Sequence, residues 1–148
     1  MTSKLAFAVP AASALAVTAL AVTAAPAAAE NGGKFQTVYS LTDGPCVAQI
    51  DASVTGPGYP EHASFTVTAH MYGVGSCRLP VTLNWRNLDT GETGSKTHTP
   101  SGPGTWMPDG RSALFAPGIG RFEATVTVGA AHIPEPGTVQ FTVEKYQG

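Results

Sequence analysis

Apolar and polar residues alternate with a period of two along much of the chain. In ASFTVTAHMY, Phe65, Val67, Ala69 and Met71 share one face, while Thr66, Thr68, His70 and Tyr72 share the other. In LPVTLNWRN, Leu79, Val81, Leu83 and Trp85 alternate with Pro80, Thr82, Asn84 and Arg86. In RFEATVTV, Phe122, Ala124, Val126 and Val128 alternate with Arg121, Glu123, Thr125 and Thr127. Successive side chains of a strand point to opposite sides, so each pattern predicts a strand with one buried and one wet face. Trp85 ends one of these apolar faces and is expected to be buried between sheets.

Weaker patterns complete the set. CVAQIDASV puts Ala48, Ile50, Ala52 and Val54 on one side, and the last strand does the same with Val139, Phe141 and Val143. KFQTVYSL, GSKTHT and RSALFA predict shorter strands whose facing the pattern leaves open. Between them lie the turn clusters TDGP, TGPGYPEH, GVGS, DTGETG, PSGPGTWMPDG, PGIG and PEPG. Their glycines and prolines punctuate the chain. No stretch carries a convincing helical period. Seven to eight short strands at this spacing predict an all-β, antiparallel β-sandwich, with a small barrel as the competing architecture.

The N-terminus has to be set aside before the fold is read. Lys4 precedes a run from Leu5 to Ala25 without charge, and Ala27-Ala28-Ala29 supplies the small-residue pattern of a signal peptidase site. Residues 1–29 are therefore expected to be a signal peptide cleaved between Ala29 and Glu30, leaving residues 30–148 as a single domain. A retained membrane anchor is the rival, since the run is long enough to span. It is mostly alanine and is interrupted by Pro10, which favours cleavage. No cysteine lies at the cleavage site for a lipid anchor, and no twin arginine precedes the apolar run.

Charge narrows the partners. Removing the leader takes away Lys4 and leaves seven basic side chains against ten acidic ones, a net charge of −3. No basic cluster exists, so neither nucleic acid nor, after cleavage, a membrane surface is an expected partner. Cys46 and Cys77 are the only cysteines. In an exported protein an even count predicts a disulfide. The LPVT of residues 79–82 looks like a sortase anchoring signal, but more than sixty residues follow it. Leu79, Val81, Leu83 and Trp85 read instead as one buried strand face, with DTGETG as the turn that ends it.

That V-x-L-x-W strand, followed by a hairpin and by a penultimate strand opening on Phe122, resembles immunoglobulin-like sandwiches. Under the resemblance, residues 65–72, 79–87, 111–116, 121–129 and 137–146 are strands B, C, E, F and G, with Trp85 as the core tryptophan of strand C. Immunoglobulin domains pair cysteines of strands B and F. Here a Cys46–Cys77 bridge would instead tie an N-terminal edge strand to the B–C loop. The composition is also similar to that of small secreted proteins of high-GC Gram-positive bacteria.

No catalytic motif is present: GxSxG, SxxK, HExxH and a phosphate-cradling glycine loop are all missing. No catalytic residue, cofactor or metal is therefore expected. His70-Met71 suggests copper, but alternation sends the two side chains to opposite faces. Asp89 and Glu92 in DTGETG are too few carboxylates for calcium, and a turn with Gly91 and Gly94 at positive φ explains them. The candidate partner-binding loop is PSGPGTWMPDG, where Trp106 and Met107 sit among glycines and prolines. A semi-rigid loop with an aromatic anchor suits binding, and the alternative is that Trp106 caps one end of the sandwich. These features together predict a secreted, non-enzymatic monomer with a binding or structural role, in the medium or at the wall, whose partner is an extracellular protein or cell-wall component. Two other classes stay open: a small-molecule carrier resembling the secreted chromoprotein apoproteins, and a secreted enzyme inhibitor.

Overall fold

The computed structural model describes residues 31–148; the signal peptide and the Ala29–Glu30 cleavage site lie outside the described residues. The alternating segments form strands, and no helix occurs among the described residues. In chain order the strands are β1 (Gly32–Lys34), β2 (Val38–Leu41), β3 (Cys46–Tyr59), β4 (His62–Gly73), β5 (Cys77–Arg78), β6 (Val81–Asn87) and β7 (Thr93–His98). They continue as β8 (Ser101–Gly102), β9 (Gly104–Trp106), β10 (Leu114–Phe115), β11 (Gly120–Val128), β12 (His132–Ile133) and β13 (Thr138–Val143). The count exceeds the expected seven to eight because β1 (Gly32–Lys34) forms ahead of KFQTVYSL, sharing only Lys34 with it, while VYSL alone forms β2. In addition, β5, β8, β9, β10 and β12 are two- or three-residue pairings within loops.

Two antiparallel sheets pack against each other. The larger runs β10-β4-β3-β2-β12, with β1 also on β3 and β9 also on β4; the smaller runs β13-β11-β6-β7. β5 and β8 form a separate two-stranded pair. Register decides what enters the core. Pairing Ala48 with Met71, Ile50 with Ala69, Ala52 with Val67 and Val54 with Phe65 turns the apolar residues of β3 and β4 to the same side. Pairing Leu83 with Val126 and Phe122 with Phe141 does the same in the smaller sheet. Phe65, Phe122 and Phe141 are wholly buried, and the last two stack at 4.9 Å.

Three local expectations are corrected. TGPGYPEH is not one turn: β3 runs to Tyr59 and β4 starts at His62, with an irregular register between Thr55 and Tyr59. The chain reverses at Pro60-Glu61, where Glu61 takes a left-handed φ of 60°. Gly56 serves close approach instead, since a Cβ there would overlap the Thr142 carbonyl of β13. In DTGETG, Gly91 has the expected positive φ of 81° but Gly94 does not. Gly94 lies under the Trp85 ring, where a side chain would overlap the indole. Trp85 itself is half-buried, not sealed between the sheets. It packs edge-on against Phe122 at 5.7 Å, but it faces the edge strand β7, whose Gly94 offers no side chain to cover it.

Cys46 and Cys77 are bonded, with Cα atoms 6.0 Å apart. Cys46 opens β3, an interior strand between β2 and β4, so the bridge does not fasten an edge strand. It ties the centre of the larger sheet to β5. Closing a loop of 31 residues stabilises by about 3.5–4 kcal/mol in the chain-entropy model. No helix of the described residues is long and apolar enough to cross a membrane.

Candidate functional site

The inward side chains of the larger sheet fill the core, and its outer face should then be polar. One end of it is not. Tyr39 and Leu41 point outward from β2 because Val38 and Ser40 point in, and Val47 does so from β3 for the same reason. Cross-strand pairing joins them: Ile133 lies opposite Tyr39, Leu41 opposite Val47, and Val47 opposite Tyr72. These five side chains form one continuous patch over β12, β2, β3 and β4. Each keeps 53–73% of its surface exposed. They line an open groove of about 450 Å³ that also includes Gln49 and His132.

Polar groups border the patch, and Thr37, Gln49, Asp51 and His70 are already paired. The exception is His132, whose Nδ1 bonds the Ala130 carbonyl while its Nε2 is buried without a hydrogen-bond partner. Thr37 donates its hydroxyl to Asp51 Oδ1 at 2.6 Å, and Gln49 donates Nε2 to Asp51 Oδ2 at 3.2 Å. His70 Nδ1 and the Thr105 hydroxyl are 2.9 Å apart. His70 and Met71 occupy opposite faces of β4, as alternation requires, with Met71 in the core.

The outer face of the smaller sheet is different in kind. It carries Thr82 and Thr97, hydrogen-bonded at 2.8 Å, and Asn84, which donates to the Thr127 hydroxyl at 2.8 Å. Arg86, Arg121 and Glu123 are exposed beside them. Asp89 accepts from Arg121 Nη2 at 2.7 Å and from the Arg121 amide at 2.9 Å. The guanidinium and amide of Arg121 hold the Asp89 carboxyl below the usual carboxylate range. Asp89 is thus a clip between the β6–β7 turn and β11, its carboxylate engaged by Arg121.

The sequence-predicted loop residues lie elsewhere. Trp106 sits on β9 opposite Ala69, and β9 is hydrogen-bonded to β4. Its indole is half-buried and packs on the core, 5.8 Å from the His98 ring. His98 is buried, stacks on Phe65 at 5.3 Å, and has Nε2 3.1 Å from the Phe65 carbonyl. Burial pushes the His98 pKa down, and the Phe65 carbonyl opposes this only in part. Met107 is 59% exposed. The structure therefore separates the pair: Trp106 walls the core, and Met107 faces water.

Sequence reasoning missed Tyr39, Leu41, Val47, Tyr72 and Ile133 as a group. Alternation did place Tyr72 outward, but it cannot say which outward residues of distant segments become neighbours. No protein-family model, curated protein or solved structure matches the chain. Chemically, the patch offers no charge and no nucleophile. What it can do is exclude water against another apolar surface.

Proposed function

We propose that this is an exported, non-catalytic module of immunoglobulin-like type whose work is protein contact through the outer face of the larger sheet. The observation that carries the reading is the Tyr39–Leu41–Val47–Tyr72–Ile133 patch. Its exposures amount to roughly 600 Å² at ordinary residue areas, at the top of the range for the largest apolar patch of a monomeric protein. Tyrosines at the middle and end of such a surface are favoured contact residues, with an apolar ring and a polar tip. Export is supported by the leader pattern of the sequence and by the disulfide, which persists in oxidising compartments. The immunoglobulin-like reading is supported by strand order: β13, β11 and β6 lie side by side where the resemblance maps G, F and C, and β10 lies beside β4 where it maps E and B.

Contact is favoured over the carriage of a small molecule by where the groove lies. It opens on the outer face, while the space between the sheets is filled by Phe65, Phe122 and Phe141. The test is site-specific photocrosslinking in the producing culture. A photoreactive phenylalanine analogue replacing Tyr72 should form protein adducts, and the same analogue replacing Glu123 on the other sheet should form none. Equal labelling from both faces, or none from Tyr72, would count against the proposal.

A further inference from the structure

We infer that the surface covering this patch is a second copy of the same chain, packed face to face through the larger sheets. The inference rests on the contact face proposed above and names its occupant.

Area is the first ground. Complete covering of roughly 600 Å² on each copy would bury at most about 1,200 Å² from these five side chains, the lower bound of a standard specific interface. The polar border of Gln49, His70 and Thr105 can add to it, because those residues lie on the same outer face. Charge is the second. Tyr39, Leu41, Val47, Gln49, Tyr72 and Ile133 carry no formal charge, so laying the patch against itself brings no like charges together. A foreign partner is often selected by complementary charge, and the centre of this face carries none; the Asp51 carboxylate at its border is already engaged by Thr37 and Gln49. Self-pairing needs only that the surface match itself, and two-fold homodimers are the commonest closed assemblies. The third ground is the contrast between the faces. Arg86, Arg121 and Glu123 are exposed on the smaller sheet and stay in water when the larger sheets meet. Two sheets packed in this way lie about 10 Å apart, close enough for the tyrosine rings to interdigitate.

This departs from the monomer expected from sequence. The five side chains come from four separate strands, and only the observed register brings them together.

The test is sedimentation equilibrium of the oxidised protein from about 1 to 200 µM, a span that brackets weak and moderate dimers. Twice the chain mass is expected at the upper end. Tyr72→Lys and Ile133→Lys should each raise the dissociation constant by about 100-fold or more, as charge is forced into a desolvated contact. Thr127→Lys, on the outer face of the smaller sheet, should leave it unchanged. Both patch side chains are exposed, so circular dichroism and thermal melting of dilute samples should match the parent and show that folding is intact. Dimerisation that survives both patch substitutions would overturn the inference. So would a monomer at every concentration. If that monomer still forms adducts from the Tyr72 site in culture, only the second copy is wrong. If it forms none, the contact face falls with it.

Discussion

Replacing Trp106 with alanine separates a core wall from a binding anchor. The indole is half-buried, lies on the inward side of β9 and stands 5.8 Å from the His98 ring. Full truncation of a buried tryptophan costs 3–5 kcal/mol, so a half-buried one is expected to cost about 2 kcal/mol. Two effects should appear together. Urea unfolding of Trp106→Ala should show a lower midpoint with an unchanged slope, the mark of lost stability without a changed unfolded state. Water should also gain access to His98, and its depressed pKa should rise towards the ordinary histidine value in a proton NMR titration. Trp106→Phe should retain most of the stability, because an aromatic ring still covers His98. Met107→Ser should stay within about 0.5 kcal/mol of the parent, since the methionine is largely in water. If Trp106→Ala is also within about 0.5 kcal/mol of the parent, and the His98 titration does not move, the indole is not part of the core wall.

Three further outcomes are expected. Replacing Cys46 and Cys77 with serine should lower stability by about 3.5–4 kcal/mol, and the denatured, unreduced parent should show no thiol that can be labelled. Gly94→Ala should destabilise by about 1–3 kcal/mol and change Trp85 fluorescence, because the new methyl occupies space held by the indole. The pKa of His98 is depressed in the folded state below the 6.5 of a free histidine. The unfolded chain therefore takes up the proton first. The stability that His98 contributes is complete above pH 6.5 and is lost as pH falls through the folded pKa. His98→Gln should flatten the decline in the urea midpoint below pH 6.5, and an unchanged decline would assign it to other groups.

The core was legible because both sheets bury one face. Phe65, Val67, Ala69, Met71, Val81, Leu83, Phe122, Ala124, Val126 and Val128 alternate in the sequence, and all are buried. Trp85 obeyed the alternation but met an edge strand with glycine opposite, and no pattern within its own strand reports what lies across from it. Glycine misled twice. At Gly56 and Gly94 it answers the approach of the Thr142 carbonyl and the Trp85 ring, though both residues sit in clusters that read as turns. The sequence leaves Trp106 open between a binding anchor and a cap on the sandwich, because a three-residue strand is too short to show a period. The outer patch failed for the opposite reason. Its residues sit at outward positions that alternation marks as wet, Val47 and Tyr72 on β3 and β4, and Tyr39, Leu41 and Ile133 on β2 and β12 where the pattern is weak or missing.

The central claim is that the working surface is the outer face of the larger sheet, and not the Trp106–Met107 segment. Methyl NMR with a soluble paramagnetic agent tests it most directly, comparing dilute protein with protein at its concentration in the producing medium. In dilute solution the methyls of Leu41, Val47 and Ile133 should relax as fast as those of the exposed Thr97, Thr127 and Met107. In the medium, Leu41, Val47 and Ile133 should become protected while the other three stay exposed. Protection of Met107, with Leu41, Val47 and Ile133 still open to the agent, would contradict the account and return the binding surface to the loop.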